Sequence, residues 1–192
     1  EERKMFRDTV RRFAETQIMP FVKTWEKQRK YSDEYYNKIS EMGFMGLMVP
    51  EKYGGMGGSL VDVVILGEEM GRAGVSIPLT HISACCRAIA QHGNEEQKSR
   101  YLPDMASGKR IGGYCQTEPN AGSDSASMTS FAEMKNGYYL LNGRKNFISN
   151  AAIASLFVVL AKTEKEKGSK GISVFIVDRD SPGVSLGRDE EK

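Results

Sequence analysis

Ile111-Gly112-Gly113-Tyr114-Cys115-Gln116-Thr117-Glu118-Pro119-Asn120-Ala121-Gly122-Ser123-Asp124 opens as an apolar-leaning run and then changes character. Ile111 to Cys115 reads as a strand, and Pro119, Asn120, Gly122, Ser123 and Asp124 break it into a tight turn. Such a loop presents amides and hydroxyls while keeping bulk away. Gly122 permits close backbone approach or a positive φ, Ser123 can donate and accept, and successive N–H groups in a turn can form a concavity for an anion. That chemistry suits a phosphate or a polar carbonyl. A second stretch, Asn142-Gly143-Arg144-Lys145-Asn146-Phe147-Ile148-Ser149-Asn150, belongs with it. Asn142-Gly143 is a hairpin signal joining residues 138–141 to 145–148, which would set Phe147 and Ser149 on one face of a strand.

Outward from these stretches the hydrophobic period divides the chain. Beyond the polar joint Ser107-Gly108-Lys109 the pattern alternates, with strands expected over 111–117, 129–134, 138–148, 156–161, 172–178 and 184–186. Turns at Asn136-Gly137, at 163–170 and at Ser181-Pro182-Gly183 separate them, and short strands at this density suggest a barrel or sandwich. The charged run from Lys162 to Lys167 is a solvated hairpin loop.

Before the joint the period is helical. Phe6, Val10, Phe13, Gln17 and Phe21 form a stripe along residues 1–28, which Pro20 kinks or ends. Ser32-Asp33 caps a second helix with Tyr36, Ile39 and Met42 inward, and Gly43 closes it. A packed apolar connection over 44–49 leads to the turn Pro50-Glu51-Lys52-Tyr53-Gly54-Gly55-Met56-Gly57-Gly58, after which Ser59 caps a helix facing inward through Val63, Val64, Gly67 and Met70. A glycine cluster before a helix can cradle phosphate, but no Gly-Lys-Ser/Thr follows and no βαβ context surrounds it, so it reads as a structural turn. Pro78 starts a helix buried through Leu79, Ile82, Cys86 and Ile89, and Asn94-Glu95-Glu96-Gln97 starts another. The fold class expected is α+β: an all-α N-terminal domain over 1–109 followed by a small antiparallel β-barrel domain over 110–192.

Composition excludes several classes of function. With 192 residues and 40% hydrophobic content, the chain can build real cores. Its 27 basic and 25 acidic residues leave a net charge of +2, which by itself implies neither nucleic acid nor membrane. No apolar run approaches the length needed to span a bilayer, and Glu1-Glu2-Arg3-Lys4 lacks the apolar core of a signal peptide, so a cytoplasmic or organelle-matrix setting is expected. Cys85, Cys86 and Cys115 form no Cys-x-x-Cys pair and read as small core residues. His81 and His92, without a third ligand nearby, are a poor metal site, and no metal is expected.

In their order and spacing, the two stretches resemble the acyl-CoA dehydrogenase family. Its middle domain carries a Tyr-x-x-Thr-Glu-Pro-x-x-Gly-Ser-Asp loop followed by an Asn-Gly-x-Lys-x-(Trp/Phe)-Ile-(Thr/Ser)-Asn strand, and many members have a Pro-Glu-x-Tyr-Gly-Gly-x-Gly turn where residues 50–57 stand. The resemblance covers the chain and implies a helical N-terminal domain and a β-barrel middle domain; these residues hold no counterpart of the family's C-terminal four-helix bundle. It implies FAD as cofactor. Tyr114, Gln116 and Thr117 would face the flavin ring, with the Thr117 hydroxyl at its polar edge, and Phe147, Ile148 and Ser149 would lie beside it. Gly122 and Ser123 would contact the acyl-CoA substrate near its pantetheine portion. Phe147 stands where many members have Trp, Ser149 where Thr is frequent, and Asn120 where Gly is common.

The activity implied is removal of hydrogens from Cα and Cβ of an acyl-CoA thioester to give a trans-2-enoyl-CoA. Electrons would pass to an electron-transferring flavoprotein, and the full-length protein would be a homotetramer with no nucleic-acid partner. The family's catalytic base is a Glu of the C-terminal bundle, so no catalytic residue is assigned here; Glu118, next to Pro119, is expected to fix the turn by hydrogen bonding. An acyl-CoA oxidase or flavin monooxygenase of the same fold would share these loops, and a non-catalytic fragment is the remaining alternative.

Overall fold

The computed structural model describes residues 1–29, 31–75 and 79–188. Pro78 as a helix start, and the side chains of Leu79 and His81, lie outside the described residues. The chain divides into two units, Glu1–Arg110 and Ile111–Glu191.

The first unit is helical. Its first apolar stripe forms α1 (Glu2–Phe13), a π-helical turn (Ala14–Ile18), a 3-10 turn (Met19–Phe21) and α2 (Val22–Gln28). The wide π turn shifts the buried face by one residue, so Ile18 and Trp25 are buried where Gln17 and Phe21 were expected to continue the stripe. Pro20 supplies the cause, because it has no N–H to donate one turn back and a regular α ladder cannot pass through it. In α3 (Asp33–Glu41) Ser32 accepts from the Tyr35 amide as expected of a cap, but Tyr35 rather than Tyr36 goes into the core, stacked on Tyr31 with ring centroids 4.5 Å apart.

The glycine turn ahead of α4 (Leu60–Arg72) is structural. The Met56, Gly57 and Gly58 amides donate to the carbonyls of Gly46, Val49 and Leu47 at 3.0, 2.9 and 2.7 Å, so the N–H groups a phosphate would need are already engaged. Ser59 caps α4 in a capping box with Asp62, and Asn94 does the same with Gln97 at the start of α6 (Glu95–Ala106). The buried face of α4 is Ile65, Leu66, Glu69 and Met70, while Val64 is exposed, which corrects the expected face. Glu69 turns that face inward because Arg7 and Arg11 on α1 donate to its carboxylate. In α5 (Leu79–His92) Ile82, Cys85, Cys86 and Ile89 are buried.

The second unit is a five-stranded sheet built on β4 (Leu156–Lys162), whose run Leu-Phe-Val-Val-Leu-Ala suits a strand covered on both faces. β5 (Ile172–Asp178) runs antiparallel along its whole length. β1 (Gly112–Cys115) pairs with it in parallel from Gly112↔Leu156 to Cys115↔Val159, and β2 (Phe131–Lys135) meets it in parallel at Phe131↔Lys162. β3 (Tyr138–Asn142) forms an antiparallel hairpin with β2. A helical half followed by a sheet half is therefore as expected, whereas the sheet is mixed rather than antiparallel, and the pairings among the described residues do not close it into a ring. The long excursion from Gln116 to Ser130 explains the difference: it lets the chain re-enter beside β4 running the same way as β1, which a tight hairpin forbids.

Two further strand expectations are corrected. Residues 184–186 form no strand, and Asn142-Gly143 is not a hairpin turn. The hairpin lies at Asn136-Gly137, where φ of 51° and 86° gives the left-handed pair that a two-residue turn demands. Gly143 serves close approach instead, since a Cβ there would lie 2.0 Å from Ser130 Oγ. Residues 145–148 are consequently irregular.

Candidate functional site

Glu118 organises the site. Its side chain is 2% exposed. Oε2 accepts from the Thr129 amide and hydroxyl at 2.6 and 2.7 Å, while Oε1 accepts from the Ser130 amide at 3.0 Å and from Lys145 Nζ at 2.8 Å. Burial alone would raise its pKa, but hydrogen bonds from Lys145, Ser130 and Thr129 outweigh it and hold the carboxyl at about 2. Pro119 and Asn120 form the tip of a turn that closes by reciprocal amide–carbonyl bonds between Glu118 and Ala121, and Asp124 accepts from the Ser127 hydroxyl where the chain turns toward β2.

The second stretch is tied to the first by its backbone. Lys145 Nζ also donates to the Gln116 carbonyl at 3.0 Å, and the Asn146 amide donates to the Thr117 carbonyl at 2.9 Å. Phe147, 67% exposed as a residue, then adopts left-handed geometry at φ 56°, and Asn150 does so at φ 67°. Beyond it, the Ile153 and Ala154 amides return to the Asn150 carbonyl, and Arg179 Nη1 donates to the carbonyls of Ala151, Ala152 and Ala154 at 3.2, 2.9 and 2.9 Å.

Each residue singled out in the sequence can now be placed. Tyr114 is half-buried in β1 opposite Val158; Gln116 and Thr117 follow the strand, half-buried. Gly122 and Ser123 lie exposed on the turn. A Cβ at Gly122 would meet no atom of the chain within 4 Å and its φ is not left-handed, so neither intramolecular reason for a glycine applies there. Phe147 and Ser149 do not share a strand face, because the left-handed turn at Phe147 replaces the strand. Ile148 packs against the cluster of Cys115, Ala154, Phe157 and Val159. The hydrogen bonds join 116–118 to 145–146; none among the described residues links 122–123 to 147–149.

The family model for the acyl-CoA dehydrogenase N-terminal domain matches residues 1–109, and that for the acyl-CoA dehydrogenase middle domain matches residues 113–192. The chain belongs to the acyl-CoA dehydrogenase family. An acyl-CoA dehydrogenase of Bacillus subtilis strain 168 is 40% identical over 100% of this chain and 52% of its own length. The butyryl-CoA dehydrogenase structure from Megasphaera elsdenii superposes with a TM-score of 0.90 at 34% identity, covering 99% of this chain and 51% of that one. PigA in complex with FAD and proline gives a TM-score of 0.93 at 31% identity, covering 100% of this chain and 51% of that one. The chain thus spans about half the length of the curated relatives it matches.

In this member of the acyl-CoA dehydrogenase family, the residues gathered here have chemistry that suits a flat polar-edged ring such as a flavin. Such a ring needs an aromatic or aliphatic wall and a few placed donors. The exposed Phe147 ring offers a wall, and the hydroxyls of Thr117, Ser123 and Ser149 have no hydrogen-bond partner among the described residues. What sequence reasoning missed is the scaffold. Thr129, Ser130 and Arg179 carry no local mark that separates them from other polar surface residues, and Lys145, though part of the second motif, shows its role only through its distant partners. Among the described residues no helix is long and apolar enough to cross a membrane.

Proposed function

We propose that this chain forms the flavin- and thioester-binding part of an enzyme that dehydrogenates an acyl-CoA at Cα and Cβ to the trans-2-enoyl-CoA, with a helical domain over 1–109 and a flavin- and substrate-binding domain over 110–192. The observation that carries the proposal is the stitching of the two stretches. The Asn146 amide on the Thr117 carbonyl and Lys145 on the Gln116 carbonyl gather Thr117, Phe147 and Ser149 while leaving a ring face and hydroxyls unpartnered.

In this reading FAD, when bound, supplies the two-electron acceptor for the substrate's β-hydride. Tyr114, Gln116 and Thr117 face its ring, the Thr117 hydroxyl meets its polar edge, and Phe147, the Ile148 backbone and Ser149 lie alongside and exclude water. Gly122 and Ser123 receive the substrate near its pantetheine portion. The α proton must go to a base whose pKa sits near the working pH. Glu118 does not serve, because its carboxylate is spent on four hydrogen bonds and held at about 2. In the family pattern that role falls to a Glu of the C-terminal bundle, so no residue here is assigned it. Electrons leave to an electron-transferring flavoprotein, and the full-length protein is a homotetramer of the bacterial cytoplasm or mitochondrial matrix.

The test is to titrate the chain with FAD, following flavin fluorescence, and then to assay acyl-CoAs of several lengths with an artificial electron acceptor. The same assay is run on a form extended to the length of the curated relatives. The extended form should hold FAD and turn over, whereas the 192 residues alone should stay far below about 1 per second. An extended form that binds no flavin would overturn the reading. The likeness to PigA with FAD and proline favours a second reading, a flavin oxidase or monooxygenase of the same fold acting on a different carbon skeleton. Oxygen consumption by the extended form separates the two.

A further inference from the structure

Resting on the flavin reading above, we propose that Lys145 is a positioning residue whose ammonium holds the Phe147–Ser149 segment in register with the Gln116-Thr117 backbone, so that the ring wall and the hydroxyls are presented together to the cofactor. Its side chain is 9% exposed. Two acceptors from the first stretch converge on Nζ, Glu118 Oε1 at 2.8 Å and the Gln116 carbonyl at 3.0 Å. An ammonium is suited to that point, since it carries several donors and no acceptor. One residue further along, the Asn146 amide reaches the Thr117 carbonyl at 2.9 Å. The two contacts are adjacent on both stretches and therefore fix register as well as proximity.

The anchor is itself fixed. Glu118 is gripped by the Thr129 amide and hydroxyl and by the Ser130 amide, so the approach to β2, the turn and the second stretch share one carboxylate. Directly after this anchor Phe147 leaves the strand conformation for φ 56°, a backbone state that a bulky L-residue keeps only when its neighbours hold it there. Lys145 supplies the hold on one side. On the other, Arg179 gathers the carbonyls of Ala151, Ala152 and Ala154. Lys145 touches neither ring nor substrate in this role, because its ammonium points back into the protein scaffold.

The experiment compares the parent chain with Lys145→Met and with the double variant Lys145→Met/Glu118→Gln, whose single neutral amide oxygen can still accept from the Thr129 amide and hydroxyl while the Ser130 contact is lost. The readouts are thermal midpoint, FAD affinity by flavin fluorescence, and amide exchange at Asn146–Ser149 against Val158 and Val159 in β4. Loss of the ammonium's two charge-assisted hydrogen bonds should weaken FAD binding about tenfold and speed exchange of the Asn146 amide by a similar factor, with β4 unchanged. The double variant should recover part of the thermal stability, because no unpaired carboxylate stays buried, but not FAD affinity. FAD affinity within about twofold of the parent, or recovered in step with the thermal midpoint, would overturn the proposal, since less than half a kcal/mol would then pass through Lys145. If the parent chain binds no FAD, the flavin reading is judged on the extended form and exchange decides the positioning role; unchanged protection at Asn146–Ser149 in both variants sinks it.

Discussion

Arg11 on α1 donates through Nε to Glu69 Oε2 on α4 at 2.9 Å, and the carboxylate it holds is 1% exposed. Arg7 reaches the same group at 2.7 Å. Two helices far apart in sequence are thus joined by a carboxylate that could not remain in the core without them. Glu69→Gln keeps the shape but removes the charge that orients both guanidiniums. It should lower stability by about 1–3 kcal/mol, the cost of weakening hydrogen bonds to a charged buried group. A urea denaturation midpoint equal to the parent's would show that the arginines contribute nothing through Glu69.

The same group predicts an acid limit. Hydrogen bonding by Arg11 lowers the Glu69 pKa and outweighs burial, leaving it at about 2, and Glu118 is held at about 2 by Lys145 and its neighbours. Both folded values lie below the ordinary carboxylate value, so the unfolded chain takes up protons first. Their contribution is therefore fully present above about pH 4.5 and fades as pH falls from there toward 2. Denaturant midpoints between pH 7 and pH 3 should fall steeply below 4.5, and Glu69→Gln/Glu118→Gln should flatten that fall. An equally steep slope in the double variant would assign acid sensitivity elsewhere.

Thr117→Val matches the side chain's shape while deleting a hydroxyl that has no partner among the described residues. FAD affinity should drop by about 1 kcal/mol with the thermal midpoint unchanged, because the only bond lost is one to the cofactor. Unaltered flavin affinity and spectrum would remove Thr117 from the site.

Phe147→Gly separates shape from strain. Glycine adopts the left-handed backbone without the roughly 1–2 kcal/mol that an L-residue incurs, offset in part by its greater freedom when unfolded. Stability should hold or rise by up to about 1 kcal/mol, while flavin affinity falls with the loss of the ring. A destabilised variant that binds FAD as tightly as the parent would mean that the ring packs on the protein instead.

Local signals in the sequence were reliable where one residue's chemistry decides a structure. Ser32, Ser59 and Asn94 were legible as helix caps because the bonds they make lie within three residues. The β5 strand over Ile172–Asp178 and the apolar β4 run were legible from their composition. Two Asn-Gly pairs, by contrast, look alike in sequence. Only Asn136-Gly137 is a turn, and what distinguishes Gly143 is the approach of Ser130, thirteen residues earlier in the chain. Parallel pairing of β1 and β2 with β4, the π turn that brings Ile18 inward, and the burial of Lys145 among 27 basic residues likewise depend on distant partners. The family pattern named Glu118 as the group that fixes the turn, and its hydrogen bonds agree, whereas Thr129, Ser130 and Arg179 were not legible.

Burial gives the cysteines a use that their chemistry alone would not suggest. Cys86 in α5 and Cys115 in β1 are both buried, and loss of water raises each thiol to about 12. At neutral pH neither presents a thiolate to a reagent while its surroundings stay closed. Because one lies in the helical unit and the other in the sheet unit, each thiol times the opening of its own half. Alkylation followed residue by residue would read out two breathing rates from one unlabelled chain, and a flavin seated on the sheet unit should slow the Cys115 clock while leaving that of Cys86 running at its own pace.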